Sequence, residues 1–362
     1  MATTTDQDVG SHSTTYLRNA WYVAALSREI GRQLTPLQML GERIVVFRDR
    51  RGVPVVLEDA CPHRKLPLSR GRLTGNCVEC GYHGLTFDAS GACVRAPTQG
   101  LIPPLARVLS YPAVDKYGLL WVWMGEPSAA DEAHLIDIEY AEHPDWHITR
   151  GAALSCRCNY LYLMDNLLDP SHVAWVHPTT FASSGTQDTP LNRKEWSNGL
   201  VVSRWIRDVE VPAYYAQLVK FKGRCDRLQH YEVRYPSTAI NRSIFVPSGQ
   251  GGEQWQQAVH PYVMVSYHFI TPTDENNTRY HWLQQRNTDP DDESITETIA
   301  QGALEAFEED REVLEAVHEG IANERTRHIN LVLDAAAIRF RTTLGRKIAS
   351  ELQGQTAPAG RR

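Results

Sequence analysis

No apolar run in the sequence is long enough to cross a bilayer: stretches such as Gly118-Leu-Leu-Trp-Val-Trp-Met124 fall far short of the ~20 residues a spanning helix needs. Nor is there a basic run, and 37 Lys+Arg against 43 Asp+Glu leave a formal charge of −6. Neither nucleic acid nor a membrane is therefore expected as a partner. The polar segment 1–15 lacks the charged-then-apolar plan of a secretory signal, so it is expected to be a disordered tail on a cytoplasmic protein. No G-x-G-x-x-G motif follows a strand pattern, so the chain itself is not expected to bind a dinucleotide through that fingerprint. Cysteine is sparse, seven in 362 residues, and in a reducing compartment such residues read as metal ligands or small buried groups rather than disulfides.

What remains is globular: 42% hydrophobic, 22% charged, and long enough for about two domains. From residue 16 to 126 short β-branched and aromatic runs alternate with Gly, Pro and Asp breaks, which predicts an all-β domain with a turn at Asp88-Ala-Ser-Gly91. Gly125-Glu-Pro-Ser-Ala-Ala-Asp131 breaks the pattern and marks the boundary to a second domain, 127–352, followed by a polar tail, 353–362. In that second part strands are predicted at 200–206, 228–235, 239–246, 263–270 and 280–285. A long helix is predicted from Ser294, with Ser294 and Glu297 as a capping box, to Ile321, and another over 331–352. Strands followed by helices make the fold class α+β.

Two constellations carry chemistry. Cys61-Pro-His63 and Cys80-Gly-Tyr-His83 are two Cys-His pairs in loops between predicted strands. Two thiolates and two imidazoles suit an iron–sulfur cluster with cysteines on one iron and histidines on the other, or tetrahedral zinc. Cys77 forms a C-x-x-C with Cys80 but has no second such pair, and Cys93, Cys156, Cys158 and Cys225 read as buried small residues.

The second constellation is Asp169-Pro-Ser-His172-Val-Ala-Trp-Val-His177-Pro178. A short helix is expected to start at Asp169-Pro170 and stop at Pro178. Five residues apart, His172 and His177 would point roughly 140° away from each other in an undisturbed helix, so they converge only if it ends or distorts. Two histidines need a carboxylate to make the facial triad of non-heme iron(II). In the long helix, Ala303 or Leu304, Phe307, Asp310, Leu314, Val317 and Ile321 form an apolar stripe that contains Asp310, whereas Glu308, Glu309, Glu312 and Glu315 fall on solvated faces. A carboxylate facing a core costs several kcal/mol unless compensated, which makes Asp310 the candidate third ligand.

On these residues the chain resembles the α-subunits of Rieske non-heme iron oxygenases. Cys61, His63, Cys80 and His83 occupy the ligand positions of the Rieske [2Fe–2S] motif. Asp169-x-x-His172-x4-His177 is similar to the mononuclear-iron motif, and Phe307-x-x-Asp310 to the segment that supplies the distal ligand. The opening Asn19-Ala-Trp-Tyr-Val-Ala-Ala25 and Phe269-Ile-Thr-Pro272 most resemble the vanillate and dicamba O-demethylase group, which includes toluenesulfonate methyl-monooxygenase. The resemblance implies a Rieske domain joined to a helix-grip catalytic domain, one [2Fe–2S] cluster, one Fe(II), a reductase or ferredoxin partner, and a homotrimer with electron transfer between subunits.

It further implies that Asp169 bridges to the neighbouring subunit's cluster histidine, matching His83, that Asn166 lies near the iron, and that Asn241 and His268 contact substrate. The reaction implied is O2-dependent hydroxylation of a methyl or alkyl substituent on a small aromatic molecule, as in O- or N-dealkylation. Ring cis-dihydroxylation, a bare electron carrier and a zinc-stabilised binding protein are the alternatives. Arg242 is the one nearby base that could clamp a substrate carboxylate.

Overall fold

The computed structural model describes residues 16–323 and 325–356; the expected N-terminal tail, 1–15, and residues 357–362 of the expected C-terminal tail lie outside them. Among the described residues eleven strands precede residue 126: β1 (Trp21–Leu26), β2 (Thr35–Met39), β3 (Glu42–Arg48), β4 (Pro54–Glu58), β5 (Arg72–Thr74), β6 (Cys77–Glu79), β7 (Thr86–Phe87), β8 (Cys93–Arg95), β9 (Ser110–Tyr111), β10 (Ala113–Lys116) and β11 (Leu119–Trp123). They form sheets ordered β1-β11-β10, β2-β3-β4-β9 and β5-β6-β7-β8. At the predicted turn, the Asp88 side chain accepts the Ser90 N–H, and Gly91 takes φ 78°. Positive φ there is what glycine permits without steric cost.

The second part is built on β12 (His147–Arg150), β13 (Leu154–Cys156), β14 (Asn192–Trp196), β15 (Gly199–Val209), β16 (Cys225–Arg234), β17 (Thr238–Pro247), β18 (Tyr262–Pro272) and β19 (Thr278–Arg286). Their order is β12-β19-β18-β17-β16-β15-β14, all antiparallel, with β13 also on β19. Against one face lie α1 (Tyr160–Leu168), α3 (Glu293–Ala322) and α4 (Ala335–Thr356), and the single-turn α2 (Val173–Val176) follows α1. Each predicted strand of this sheet is present, extended by a few residues. The helix α4 starts later than expected and runs past Leu352 to Thr356, so 353–356 are helix rather than tail. No helix among the described residues is long and apolar enough to cross a membrane.

The run at β11 is apolar throughout because it is buried on both faces. Leu120 and Val122 face a core shared with Ile44 and Val46. Leu119, Trp121 and Trp123 face the outer side of the large sheet, at Val265, Tyr267 and Phe269. The Thr271 hydroxyl donates to the Val23 carbonyl at 2.7 Å across the same seam. Alternate side chains of one strand thus tie the N-terminal sheets to the large sheet.

Two further helix boundaries differ from expectation. The cap of α3 is Asp292, not Ser294: its carboxylate accepts the N–H groups of Ser294 and Ile295 at 2.9 and 3.2 Å, and a carboxylate satisfies free N–H groups while complementing the helix dipole. Asp169 ends a helix instead of starting one. It is the C-cap of α1, because a residue before proline is driven out of the α region. The stripe of α3 is buried at Ile299, Ala303, Ala306, Phe307, Asp310 and Leu314, but Val317 is exposed. Removing the cap with Asp292→Ala is expected to cost about 1 kcal/mol of stability, seen as a lower urea midpoint with unchanged slope.

Candidate metal centres

The first four candidates sit in two loops of the same design. Cys61 and His63 follow β4; Cys80 and His83 join β6 to β7. In the first loop the Cys61 N–H donates to the Leu66 carbonyl and the Lys65 N–H returns to the Cys61 carbonyl. In the second, Cys80 pairs in the same way with Leu85 and Gly84. Lys65 and Gly84 both take positive φ, 60° and 73°. Each loop therefore curls back on its cysteine and presents the next histidine.

Cys61 and Cys80 are buried, at 2% and 3% exposure, beside Leu68, Val78 and Phe87. Burial pushes the Cys61 thiol up to about 11, opposed by the His63 N–H and reinforced by the Cys80 thiol alongside. The rings of His63 and His83 meet edge to face, centroids 4.5 Å apart. The Nδ1 of His83 is buried and has no hydrogen-bond partner. A buried ring nitrogen without a partner is costly, and a metal ion beside it removes the cost. Two thiols below, two imidazoles above and a vacant Nδ1 fit a Rieske [2Fe–2S] cluster.

The second centre forms where α1, α2 and α3 meet. His172 is the residue before α2 and His177 the residue after it, so neither obeys regular helical spacing and their rings converge to 5.4 Å. Asp310 comes from the buried stripe of α3. Its Oδ1 lies 3.5 Å from His172 Nε2 and 3.2 Å from His177 Nε2, and one donor atom from each of the three falls within 4.8 Å of the others. The Asn166 amide donates to the same oxygen at 3.0 Å.

Burial alone would raise the Asp310 carboxyl, but the His177 hydrogen bond, the His172 and His177 charges and the Asn166 amide outweigh it and hold it below the usual carboxylate range. The outer nitrogens are braced. His172 Nδ1 bonds the Asp169 carbonyl, and His177 Nδ1 bonds Glu309 Oε2 at 2.6 Å. Donation through Nδ1 fixes the tautomer that leaves both Nε2 atoms free to ligate, which fits a divalent metal of the two-histidine, one-carboxylate type.

Glu309 is the residue that sequence reasoning missed. Helical spacing places it about 100° from Asp310, on a face read as solvated, yet half of it is buried under His177. Glu315 is likewise engaged, accepting from the Arg157 backbone at 2.9 Å. Asp169 receives the Ser171 N–H at 2.7 Å.

Asn241 and His268 both lie on the inner face of the sheet, toward α3. His268 is 3% exposed, bonds the Tyr280 hydroxyl at 2.6 Å through Nδ1 and leaves Nε2 unpartnered; Asn241 Oδ1 is also unpartnered. Burial pushes the His268 imidazole down to about 3, with Asp310 opposing. Arg242 is not beside them. It alternates to the outer face and pairs with Glu139, so it clamps nothing at this site.

The Rieske [2Fe-2S] domain family matches residues 20–111, and the vanillate O-demethylase oxygenase C-terminal domain family matches residues 156–350. A toluene-4-sulfonate monooxygenase system iron-sulfur subunit of Comamonas testosteroni is 37% identical over 95% of this chain and 100% of its own length. A vanillate O-demethylase oxygenase subunit of a Pseudomonas species is 29% identical over 94% of this chain and 97% of its own. The crystal structure of dicamba monooxygenase bound to 3,6-dichlorosalicylic acid superposes with a TM-score of 0.86 at 27% identity, covering 93% and 99% of the two chains.

With Glu309→Ala, His177 loses its brace while the three inner side chains stay. Metal retention at His172, His177 and Asp310 is expected to weaken about 10- to 100-fold, measured as mononuclear iron left after dialysis against a graded chelator.

Proposed function

The chain belongs to the Rieske oxygenases with a vanillate O-demethylase-type catalytic domain, and from that premise we propose that it hydroxylates a methyl or alkyl carbon on a small aromatic substrate. It is the oxygenase component of a multicomponent system, an iron-dependent oxidoreductase with one Rieske [2Fe–2S] cluster and one mononuclear iron. When bound, the cluster supplies electrons singly and the mononuclear iron supplies open positions for reaction with dioxygen. The net change is R–CH3 + O2 + 2 e− + 2 H+ → R–CH2OH + H2O. Where the carbon carries oxygen or nitrogen, the product is a hemiacetal or hemiaminal that collapses to an aldehyde.

In this reading Cys61, Cys80, His63 and His83 hold the cluster and His172, His177 and Asp310 hold the iron; the single observation that carries it is the buried, Asn166-supported Asp310 between two histidines whose outer nitrogens are braced. Asn166 keeps one carboxylate oxygen oriented. Asn241 and His268 receive substrate polar groups, each with a buried atom awaiting a partner. The domains divide at residues 126 and 127, in keeping with the two matched spans.

The functional unit is a homotrimer in which Asp169 of one subunit meets the cluster histidine of the next. Support comes from exposure: His63 is exposed, Tyr82 is 55% exposed beside His83, and Trp175, between His172 and His177, is 66% exposed. Electrons come from NAD(P)H through a reductase or ferredoxin, and the setting is the cytoplasm.

A screen of methoxylated, N-alkylated and methyl-substituted arenes with a surrogate reductase is expected to yield formaldehyde or a product 16 mass units heavier; a ring diol, or no product from any class, overturns the reading. Asp310→Ala, His172→Ala and His177→Ala are expected to keep the red cluster spectrum and lose both mononuclear iron and turnover. Asp169→Asn is expected to keep both metals yet slow single-turnover reoxidation of the reduced cluster; an unchanged rate removes its bridging role.

A further inference from the structure

The inner face of the sheet carries more positive charge than its fold requires. Arg204 and Arg227 are 2% and 1% exposed, and among the described residues neither has a carboxylate partner within ion-pair distance. Each guanidinium nitrogen of Arg204 nonetheless has an acceptor: it donates to Gln229 Oε1 at 2.7 Å, to the Thr189 carbonyl at 2.9 Å and to the Pro170 carbonyl at 3.2 Å. Arg227 is only partly used. It donates to the Phe181 carbonyl at 2.8 Å and toward the Ser183 hydroxyl at 3.4 Å, and lies over the rings of Tyr215 and Phe245.

Two donors are left over, side by side on β16. Arg227 Nε and Gln229 Nε2 are buried without a partner. The amide of Gln229 cannot turn to hide its NH2, because Arg204 holds its oxygen. Residues 227 and 229 alternate with the outward-facing Leu228, and Gln229 lies in register with Ser243 on β17, next to Asn241. Unpaired buried donors and an uncompensated buried cation are each expensive, and an anion is the ligand that removes both costs. The position suits the catalytic site: Phe181, which Arg227 holds, has its ring 5.8 Å from that of His177, and Pro170, which Arg204 holds, is two residues before His172.

We propose that Arg227 and Gln229 form the anion-recognising end of the substrate site, taking the sulfonate or carboxylate of an arene whose methyl or alkyl carbon faces His172, His177 and Asp310. This rests on the reaction proposed above and names its substrate class. Arg227 is then the residue that makes the enzyme select charged arenes over neutral ones.

The test is calorimetric titration of the iron-loaded holoenzyme with 4-methylbenzenesulfonate, 4-methylbenzoate and the neutral 4-methylbenzenesulfonamide. The native enzyme is expected to bind at least one anion about tenfold or more tightly than the sulfonamide, and which anion it prefers tells a tetrahedral from a planar headgroup. Arg227→Gln is expected to weaken that anion about 10- to 100-fold, as loss of a charged hydrogen bond implies, with the sulfonamide changed less than about twofold; Arg227→Lys should recover part of the loss.

Equal weakening of anion and sulfonamide assigns Arg227 to holding the Phe181 loop and overturns the proposal, as does a native enzyme that prefers the sulfonamide or binds none of the three. If Arg227→Gln loses the red chromophore, Gln229→Leu carries the same comparison. Turnover of neutral arenes alone would sink this inference while leaving the proposed reaction intact, whereas absence of any oxygenated product sinks that reaction.

Discussion

Asp310 is a carboxylate held in a hydrophobic stripe, and the catalytic half of the molecule is arranged around satisfying it. At 8% exposure between Phe307 and Leu314, it would cost several kcal/mol if left alone. Three groups converge on it, from three places in the chain: the Asn166 amide from α1, and His172 and His177 from either end of α2. That convergence is possible only because α1 stops at Asp169-Pro170 and Pro178 follows His177, so the two histidines escape the spacing of a continuous helix. Even so, the set remains a carboxylate facing two ring nitrogens, the Nε2 atoms of His172 and His177, whose Nδ1 atoms bond outward. A divalent cation is the one addition that satisfies all three inward atoms at once.

The N-terminal half meets its constraint differently. Its cysteines are drawn into a small core with Leu68, Val78 and Phe87 while its histidines stay at the rim, so the thiol side is dry and the imidazole side is open. Cys61 and Cys80 would hold such a cluster from the dry side and His63 and His83 from the open side, and it would supply one electron at a time. Lys65 and Gly84, both at positive φ, make the two loops near copies despite sharing no residue at that position. Glycine is steric economy at Gly84; at Lys65 the chain accepts the cost.

Much of this was legible in the sequence wherever a local pattern has a physical period. The alternating strands of the large sheet, the two Cys-His pairs and the acid in an apolar helical stripe each follow from spacing that geometry imposes. What escaped is what depends on contacts between elements. Glu309 differs from its solvated neighbours only in having His177 overhead, and nothing along α3 reports that. The helix α1 is hard to read from sequence because Tyr160–Leu168 is only nine residues long and mostly apolar, six of the nine being buried where it packs on the sheet and α4. Arg242 looked eligible as a clamp because it adjoins Asn241, yet adjacency on a strand means opposite faces.

The inner arginines belong to the same logic as Asp310. The segment between α1 and β14 carries both candidate histidines with only one helical turn of regular structure, and several of its carbonyls are satisfied by side chains of the sheet. Buried carbonyls must be satisfied, and here the sheet does it: Arg204 takes Pro170 and Thr189, and Arg227 takes Phe181. Arginine suits this because its fork reaches several acceptors from one rigid plane and stays charged when buried. A side effect is cationic surplus on the face that looks toward the metal site. An anionic group received on Arg227 would therefore meet the same guanidinium that donates to the Phe181 carbonyl, four residues after His177.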